Sequence, residues 1–294
     1  MGWGRTWVGL LLLSFSTSLP ELFTSISSAG ILKQPDLALG NNLGSVSFNL
    51  FIIALLDFME RGSFTHRLDP SLVLSSSFLI FFVFLFLVFL LLPVHGGFLG
   101  VGWDTFSVFL IYILALRVIF LHQHRERSKE KRKSLPGKGR LWVYYFLLGG
   151  VIFLSGVWLA RTGERISQVT GLSRTFVGTL FLAMITSLPE LSTTISCVRL
   201  GLPSMAVGNI LGANLQNLVI PFFSDIVYRR GYILSAVSSS HLVTLLMGGL
   251  LTTVLLIGMT YRSRKVFLRM GWDGILIALI YLGGMYILFL NPFK

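Results

Sequence analysis

The sequence predicts an all-α polytopic membrane protein, folded as an inverted-topology repeat of about four plus five transmembrane helices. Two observations predict it. Of 294 residues, 54 % are hydrophobic and only 12 % charged, with a mean hydropathy of +0.79, whereas soluble chains carry about 25 % charged residues. The second observation is an internal duplication, sought first because a missed repeat misassigns the whole fold. A shift of 169 residues aligns RTWVGLLLLSFSTSLPEL (5–22) with RTFVGTLFLAMITSLPEL (174–191), and GWDTFSVFLIY (102–112) with GWDGILIALIY (271–281). A shift of 168 aligns ALGNNLGSVSFNL (38–50) with AVGNILGANLQNL (206–218), together with Asp57 on Asp225 and Arg61 on Arg229.

Apolar runs of about 20 residues, enough to cross a roughly 30 Å hydrocarbon core, recur along the chain. The first half holds spans at 6–31, 36–60, 71–93 and 99–121. The second holds spans at 141–161, 173–198, 204–228, 235–259 and 270–291. The chain thus divides into a first membrane repeat (1–121), a basic loop (122–140) and a second membrane repeat (141–294). That loop, HQHRERSKEKRKSLPGKGR, carries eight Lys/Arg against two Glu, which makes it cytoplasmic by the positive-inside rule. With the loop inside, 17 of the 24 Lys/Arg fall on the cytoplasmic side.

This orientation sends the first TSLPEL helix outward and the second inward. Oppositely directed repeats are related by a pseudo-two-fold axis in the membrane plane, an arrangement of secondary transporters with a midplane site. Met1 aligns with Thr170, so the counterpart of the 141–161 span is expected to be missing from the first half. The N-terminus has no A-x-A cleavage site, so it reads as part of the protein rather than a removable signal. An integral, multi-pass protein of a prokaryotic cell membrane is expected.

Several function classes are set aside. The net charge of +12 sits in short connections between spans, which fits membrane topology rather than nucleic-acid binding. Cys197 is the only cysteine, so no intramolecular disulfide is possible. Nucleotide and zinc motifs are absent, and the spans offer neither a Ser/His pair nor aspartates paired across facing repeats. The chain is not read as an enzyme.

The chemistry concentrates in TSLPEL, at 17–22 and again at 186–191. Glu21 lies about 15 residues into its span, roughly 22 Å at 1.5 Å per residue, near mid-membrane. A charged side chain there costs at least ~2.5 kcal/mol and is expected to face a polar interior or a cation. Helical neighbours at three and four residues give Glu21 the company of Thr17, Ser18, Thr24 and Ser25, with Ser14 and Ser28 a turn further. Glu190 has Thr186, Ser187, Thr193 and Thr194. Pro20 and Pro189 lack an N–H and crowd the carbonyl four residues back, which releases the carbonyls of Ser16 and Ile185. Hard cations such as Ca²⁺ and Na⁺ take oxygens from carboxylates, carbonyls and hydroxyls, and the motif supplies all three. A kinked helix with a structural glutamate explains one copy; two copies on oppositely directed helices weigh against it.

The second repeated block supplies amides. Asn41, Ser45 and Asn49 share one helix face, with Asn209, Ala213 and Asn217 as counterparts. Asn49 and Asn217 are candidate carbonyl ligands beside the glutamates, while Ser14, Asn41 and Asn209 form an outer tier of candidates. Gly40, Gly44, Gly208 and Gly212 form G-x-x-x-G patterns that permit close helix approach. Structural roles suffice elsewhere. Asp104 and Asp273 of the repeated GWD sit at span starts, where Asp suits a helix N-terminus. Asp57 and Asp225 are expected to pair with Arg61 and Arg229, and His241 to be a hydrogen-bonded packing residue.

In these blocks the sequence resembles the cation/calcium exchanger superfamily, specifically its sodium/calcium exchanger branch, whose paired α-repeats read roughly G-T-S-L-P-E and G-N-x-x-G-S-N-x-x-[ND]. The proton-coupled branch usually has G-N-x-x-E where this chain has S-L-P-E. The resemblance implies a ten-helix inverted-repeat fold, here lacking the first helix, with four cation sites between the repeat helices. It implies Glu21 and Glu190 as central Ca²⁺ ligands shared with Na⁺, and backbone carbonyls from Thr17 and Thr186. Sodium-binding oxygens would come from Ser18, Ser187 and Ser45, with Asn49 completing the centre. Ca²⁺ and Na⁺ are then transported substrates, the bilayer is the other partner, and no resident cofactor is implied.

The chain departs from the pattern in having Asn217 where aspartate is usual and Ala213 where serine is usual. The expected function is a secondary active antiporter exchanging Ca²⁺ for Na⁺ by alternating access. A proton-coupled or Na⁺-independent divalent cation exchanger, or a non-transporting relic or regulatory subunit, stands as the alternative.

Overall fold

A computed structural model describes residues 13–60, 64–92, 94, 96–98, 100–124, 138–263, 266–267 and 270–290. The start of the 6–31 span, most of the basic loop, and Arg5, Arg61, Arg264, Lys265 and Arg269 lie outside them. The first motif segment comprises α1 (Ser14–Thr17), α2 (Leu19–Ile26) and a π-helical turn, Ser27–Ile31. There follow α3 (Pro35–Glu60), a 3₁₀ turn (Thr65–Arg67) and α4 (Leu72–Leu91). A two-residue-strand hairpin, β1 (Gly97–Phe98) with β2 (Val101–Gly102), leads into α5 (Trp103–His124).

The second half opens with α6 (Lys138–Thr170). Its motif segment is α7 (Arg174–Val177), a π turn (Gly178–Leu182), α8 (Ala183–Thr186) and α9 (Leu188–Arg199). Next come α10 (Pro203–Asn217), α11 (Ile220–Val227), a 3₁₀ turn (Ile233–Ala236) and α12 (His241–Tyr261). A second hairpin, β3 (Val266–Phe267) with β4 (Met270–Gly271), precedes α13 (Trp272–Leu290).

Two of the expected spans change shape. The 204–228 segment is two helices, because Pro221 cannot donate to the carbonyl of Asn217; α10 ends at Asn217 and α11 starts at Ile220. Its counterpart α3 has Ile53 at the matching position and runs unbroken for 26 residues. The 235–259 segment becomes a helix only at His241, since Ile233–Ala236 form a 3₁₀ turn. The GWD helices likewise begin at Trp103 and Trp272, after their hairpins rather than at 99 and 270.

Burial sorts the helices into layers. The most apolar window of α3 is 78 % buried and that of α10–α11 72 %, against 39 % for α4 and α13 and 22 % for α5. The outer helices present Phe84, Leu91, Leu114, Leu121, Leu279 and Leu282 outward, a surface suited to acyl chains rather than water. The inner pair carries the amide blocks. Close approach is set by glycine: a Cβ on Gly44 would overlap the Thr179 backbone, and one on Gly40 would lie 3.0 Å from the Thr175 carbonyl. Thus α3 meets the second motif segment backbone to backbone.

The aspartates near the span ends hold the halves together, which corrects the expected pairing of Asp225 with Arg229. Arg61, the expected partner of Asp57, lies outside the described residues; the Asp57 carboxylate accepts from the N–H of Phe64 (2.6 Å) and of Gly271 (2.9 Å). Asp225 is not paired with Arg229: it accepts from Ile233 N (2.7 Å), Gly102 N (2.7 Å) and Thr105 Oγ1 (2.7 Å). Each aspartate thus caps the hairpin of the opposite repeat. Aspartates from facing repeats do come together here, Asp57 with Asp273 and Asp104 with Asp225. Spacing in the sequence could not show this, because each pair is separated by more than 100 residues. The carboxylates of GWD are themselves bonded at their helix starts, Asp104 to Thr105 N (2.7 Å) and Asp273 to Thr65 Oγ1 (2.6 Å).

Candidate functional site

Both motif segments break at the same residue. Ser18 and Ser187, each two before the proline, have φ/ψ of −86°/7° and −87°/9°, the sparsely populated bridge region rather than helix. In the second segment the axis turns by 44° at this joint. Mid-helix bends of this size are attributable to proline and to inserted turns, and π turns are frequent at functional sites. The joint turns each serine hydroxyl away from its own segment and toward the other repeat.

There the two halves exchange hydrogen bonds. Ser18 Oγ donates to Glu190 Oε1 (3.2 Å), and Ser187 Oγ donates to Glu21 Oε1 (3.0 Å). Each glutamate is therefore braced by the opposite repeat, and both are fully buried. The outer tier repeats the exchange: Thr17 Oγ1 faces Asn209 Oδ1 at 3.5 Å, and Thr186 Oγ1 donates to Asn41 Oδ1 at 3.1 Å. Asn41 Nδ2 in turn reaches the Glu21 carbonyl (3.3 Å) and Ser25 Oγ (3.0 Å). Ser14 Oγ accepts from Gln216 Nε2 at 2.9 Å.

The remaining polar groups break the symmetry. Ser45 Oγ donates to Glu21 Oε1 at 3.5 Å and approaches Thr186 Oγ1 at 3.4 Å. Its counterpart Ala213 has nothing to offer Glu190. Asn49 Nδ2 donates to Asn214 Oδ1 (2.9 Å), and Asn214 Nδ2 holds the Val46 carbonyl (3.0 Å). Asn217, at the broken end of α10, has neither amide atom bonded.

Among the buried polar atoms with no partner among the described residues are Glu21 Oε2, Glu190 Oε2, Asn49 Oδ1, and both Oδ1 and Nδ2 of Asn217. Native interiors seldom leave such atoms unpaired without a functional reason. Two carboxylate oxygens and two amide oxygens, contributed equally by the two repeats, are of the kinds a hard cation takes. The sequence-predicted residues Thr17, Ser18, Glu21, Ser45, Asn49, Thr186, Ser187, Glu190 and Asn217 are all buried in this region, with Ser14, Asn41 and Asn209 around it.

Sequence reasoning missed Asn214 and Asn42. Asn42 Oδ1 accepts from Ser25 Oγ at 2.7 Å. Their repeat counterparts are Val46 and Ile210, so matching the halves passed over them. Helical spacing within each block was the signal that could have found them. His241 is hydrogen-bonded as expected, through Nε2 to Asp36 Oδ1 at 3.2 Å and near Thr175 Oγ1 at 3.5 Å.

Fold and cluster together define a two-repeat helical membrane protein with a carboxylate-bearing polar centre between its repeats. Comparison gives this class a family. The sequence model described as "Sodium/calcium exchanger protein" matches residues 1–121 and 140–290, and the chain belongs to that family. It is 31 % identical over 226 residues to the inner membrane protein YrbG of Escherichia coli, a match covering 72 % of this chain and 66 % of YrbG. The chain therefore matches just under two thirds of the length of that relative. It is 26 % identical to the sodium/calcium exchanger MaX1 of Methanosarcina acetivorans, over 96 % of this chain and 88 % of MaX1. In fold it resembles the sodium-calcium exchanger NCX_Mj soaked with Na⁺ and Sr²⁺, with a TM-score of 0.63 at 18 % identity, over 97 % of this chain and 87 % of that one.

Proposed function

We propose that this chain is a secondary antiporter exchanging Ca²⁺ for Na⁺ by alternating access, with Glu21 and Glu190 as its ion-binding carboxylates. The observation that carries the reading is that Glu21 Oε2, Glu190 Oε2, Asn49 Oδ1 and Asn217 Oδ1 are all buried and all without a protein partner, while each glutamate is hydrogen-bonded to a serine of the other repeat. Membership of the sodium/calcium exchanger family supports it, and relatives named as exchangers favour Ca²⁺ and Na⁺ as the ions. The backbone carbonyls of Thr17 and Thr186, beside the broken joints, and the hydroxyls of Ser18, Ser45 and Ser187 complete the proposed ligand set.

The geometry gives the cycle a physical basis. A buried charge in a membrane interior costs at least ~2.5 kcal/mol, and a bound cation offsets it. Each glutamate is held by a serine from the other repeat, so an ion at the centre strengthens contacts between the halves. Release to one side requires those cross-repeat pairs to part. In the accompanying topology the 122–140 loop is cytoplasmic, and the repeats 1–121 and 141–294 rock about the pseudo-two-fold axis between them.

Vesicles containing the purified chain should take up ⁴⁵Ca²⁺ when an outward Na⁺ gradient is imposed. Uptake that ignores Na⁺ and follows a pH gradient would replace the sodium reading with a proton-coupled one. Ala213 favours that second reading, because it removes an oxygen from the neighbourhood of Glu190.

A further inference from the structure

Among the described residues the centre holds two carboxylates, Glu21 and Glu190, and no third. The groups that touch Glu21 and Glu190 are hydroxyls, those of Ser18, Ser45 and Ser187 together with Thr17 and Thr186. Around them stand the amides of Asn41, Asn49, Asn209, Asn214 and Asn217, all buried and all neutral. Among the described residues no group of three or more His, Cys, Asp or Glu is placed to hold a metal ion. The aspartate pairs at the span ends are bonded to hairpin N–H groups and do not join the cluster.

We infer that this chain exchanges one divalent cation for two monovalent cations, electroneutrally, because Glu21 and Glu190 are the whole ionic complement of its site. The inference rests on the exchange reading above and adds its stoichiometry. A buried charge without a partner is strongly disfavoured in low dielectric. Two carboxylates are neutralised by one divalent ion, or equally by two monovalent ions, and a proton on either carboxylate counts as one of those. A third monovalent ion would leave a net positive charge among neutral amides. Asn217 is the decisive position. Both of its polar atoms are buried and unpartnered, and where the family pattern has a carboxylate it brings an oxygen without a charge.

Neutral loaded forms do not feel the membrane potential. Each uncompensated charge carried across is worth about 2.3 kcal/mol per 100 mV, a shift of roughly 50-fold in the equilibrium ion ratio. The test uses the full chain in liposomes, with K⁺ and valinomycin clamping the potential at zero or at 100 mV. The Ca²⁺ ratio reached at a series of fixed Na⁺ ratios, and separately at fixed pH differences, is then read.

The expected result is a Ca²⁺ ratio that follows the square of the monovalent ratio and moves less than twofold between potentials. A cubic dependence, or a shift near 50-fold, would overturn the inference while leaving exchange itself intact. No Ca²⁺ movement with either driving ion would instead overturn the exchange reading, and this one with it. The Asn217→Asp variant, checked for monodispersity in detergent, should gain dependence on potential at alkaline pH. If it stays insensitive across the pH range, carboxylate count does not set the coupling and the inference fails.

Discussion

The first and second halves of the chain treat their shared residues in two ways. Over TSLPEL they are nearly interchangeable: Ser18 and Ser187 adopt matching backbone angles, and each donates to the glutamate of the other half. One turn deeper the halves part. Ser45 reaches Glu21 while Ala213 reaches nothing, and Asn49 is locked onto Asn214 while Asn217 stays unbonded at a helix end. Charge is distributed symmetrically, whereas rigidity and oxygen count are weighted toward the first half. An inverted repeat can thus keep its carboxylates equivalent while tuning each half-site through the neutral groups around them.

The largest expected effect tests the symmetric part. Glu21→Gln and Glu190→Gln should each lower Ca²⁺ exchange by at least ~100-fold, since removing one of two charged partners of a bound ion costs about 3–5 kcal/mol. Both variants should remain monodisperse in detergent, because the neutral amide is easier to bury than the carboxylate. Near-normal transport in one variant but not the other would break the equivalence of the half-sites.

Next in size is the contact that brings the halves together. In Gly44→Ala the added methyl overlaps the Thr179 backbone, and backbone cannot swing aside as a flexible side chain can. Overpacking of this kind costs about 1–3 kcal/mol. The thermal unfolding temperature should fall, and exchange with it. An unchanged unfolding temperature would mean that α3 and the second motif segment are less tightly opposed than the structure has them.

Much of this was legible in the sequence, for a definite reason. Duplication marks both members of every symmetric pair, so the glutamates, the motif serines and Asn41/Asn209 could be picked out by alignment of the chain with itself. The breaks at Ser18 and Ser187 follow from the prolines, and the buried α3 from its unbroken apolar and amide pattern. What escaped lies where the halves differ or where tertiary contact decides. Asn214 has an apolar counterpart. Asp57 and Asp225 each take, besides a near N–H, a hairpin N–H more than 100 residues away, whereas local spacing pointed to the arginines four residues on. The split of α10 from α11 was readable at Pro221, but the continuous hydropathy of 204–228 outweighed it.

The two central asparagines separate structure from function more finely. Asn49→Ala leaves Asn214 Oδ1 without its donor in a buried place, a loss of about 1–3 kcal/mol, and the unfolding temperature should drop. Asn217→Ala breaks no hydrogen bond within the protein, so its stability in ion-free buffer should stay within about 0.5 kcal/mol of the parent. Both should weaken Ca²⁺-dependent stabilisation, read as the rise in unfolding temperature on adding Ca²⁺. If Asn217→Ala lowers ion-free stability as much as Asn49→Ala, the asymmetry between the halves is not real.

The smallest effect comes from repairing that asymmetry. Ala213→Ser restores on α10 the hydroxyl that Ser45 supplies on α3, and Ala213 already carries the Cβ on which it would sit. The new hydroxyl should donate to Glu190 as Ser45 does to Glu21, adding a net hydrogen bond of about 0.5–1.5 kcal/mol. Because it adds an oxygen and no charge, it should tighten the half-saturating Na⁺ concentration by roughly 2–10-fold and leave the square-law coupling untouched. Ser45→Ala should loosen Na⁺ by a similar factor, and the double exchange of the two residues should move the oxygen-rich side of the site from one half to the other. Should Ala213→Ser alter the exponent of coupling rather than the affinity, hydroxyl oxygens and not carboxylates would be setting how many ions the centre admits.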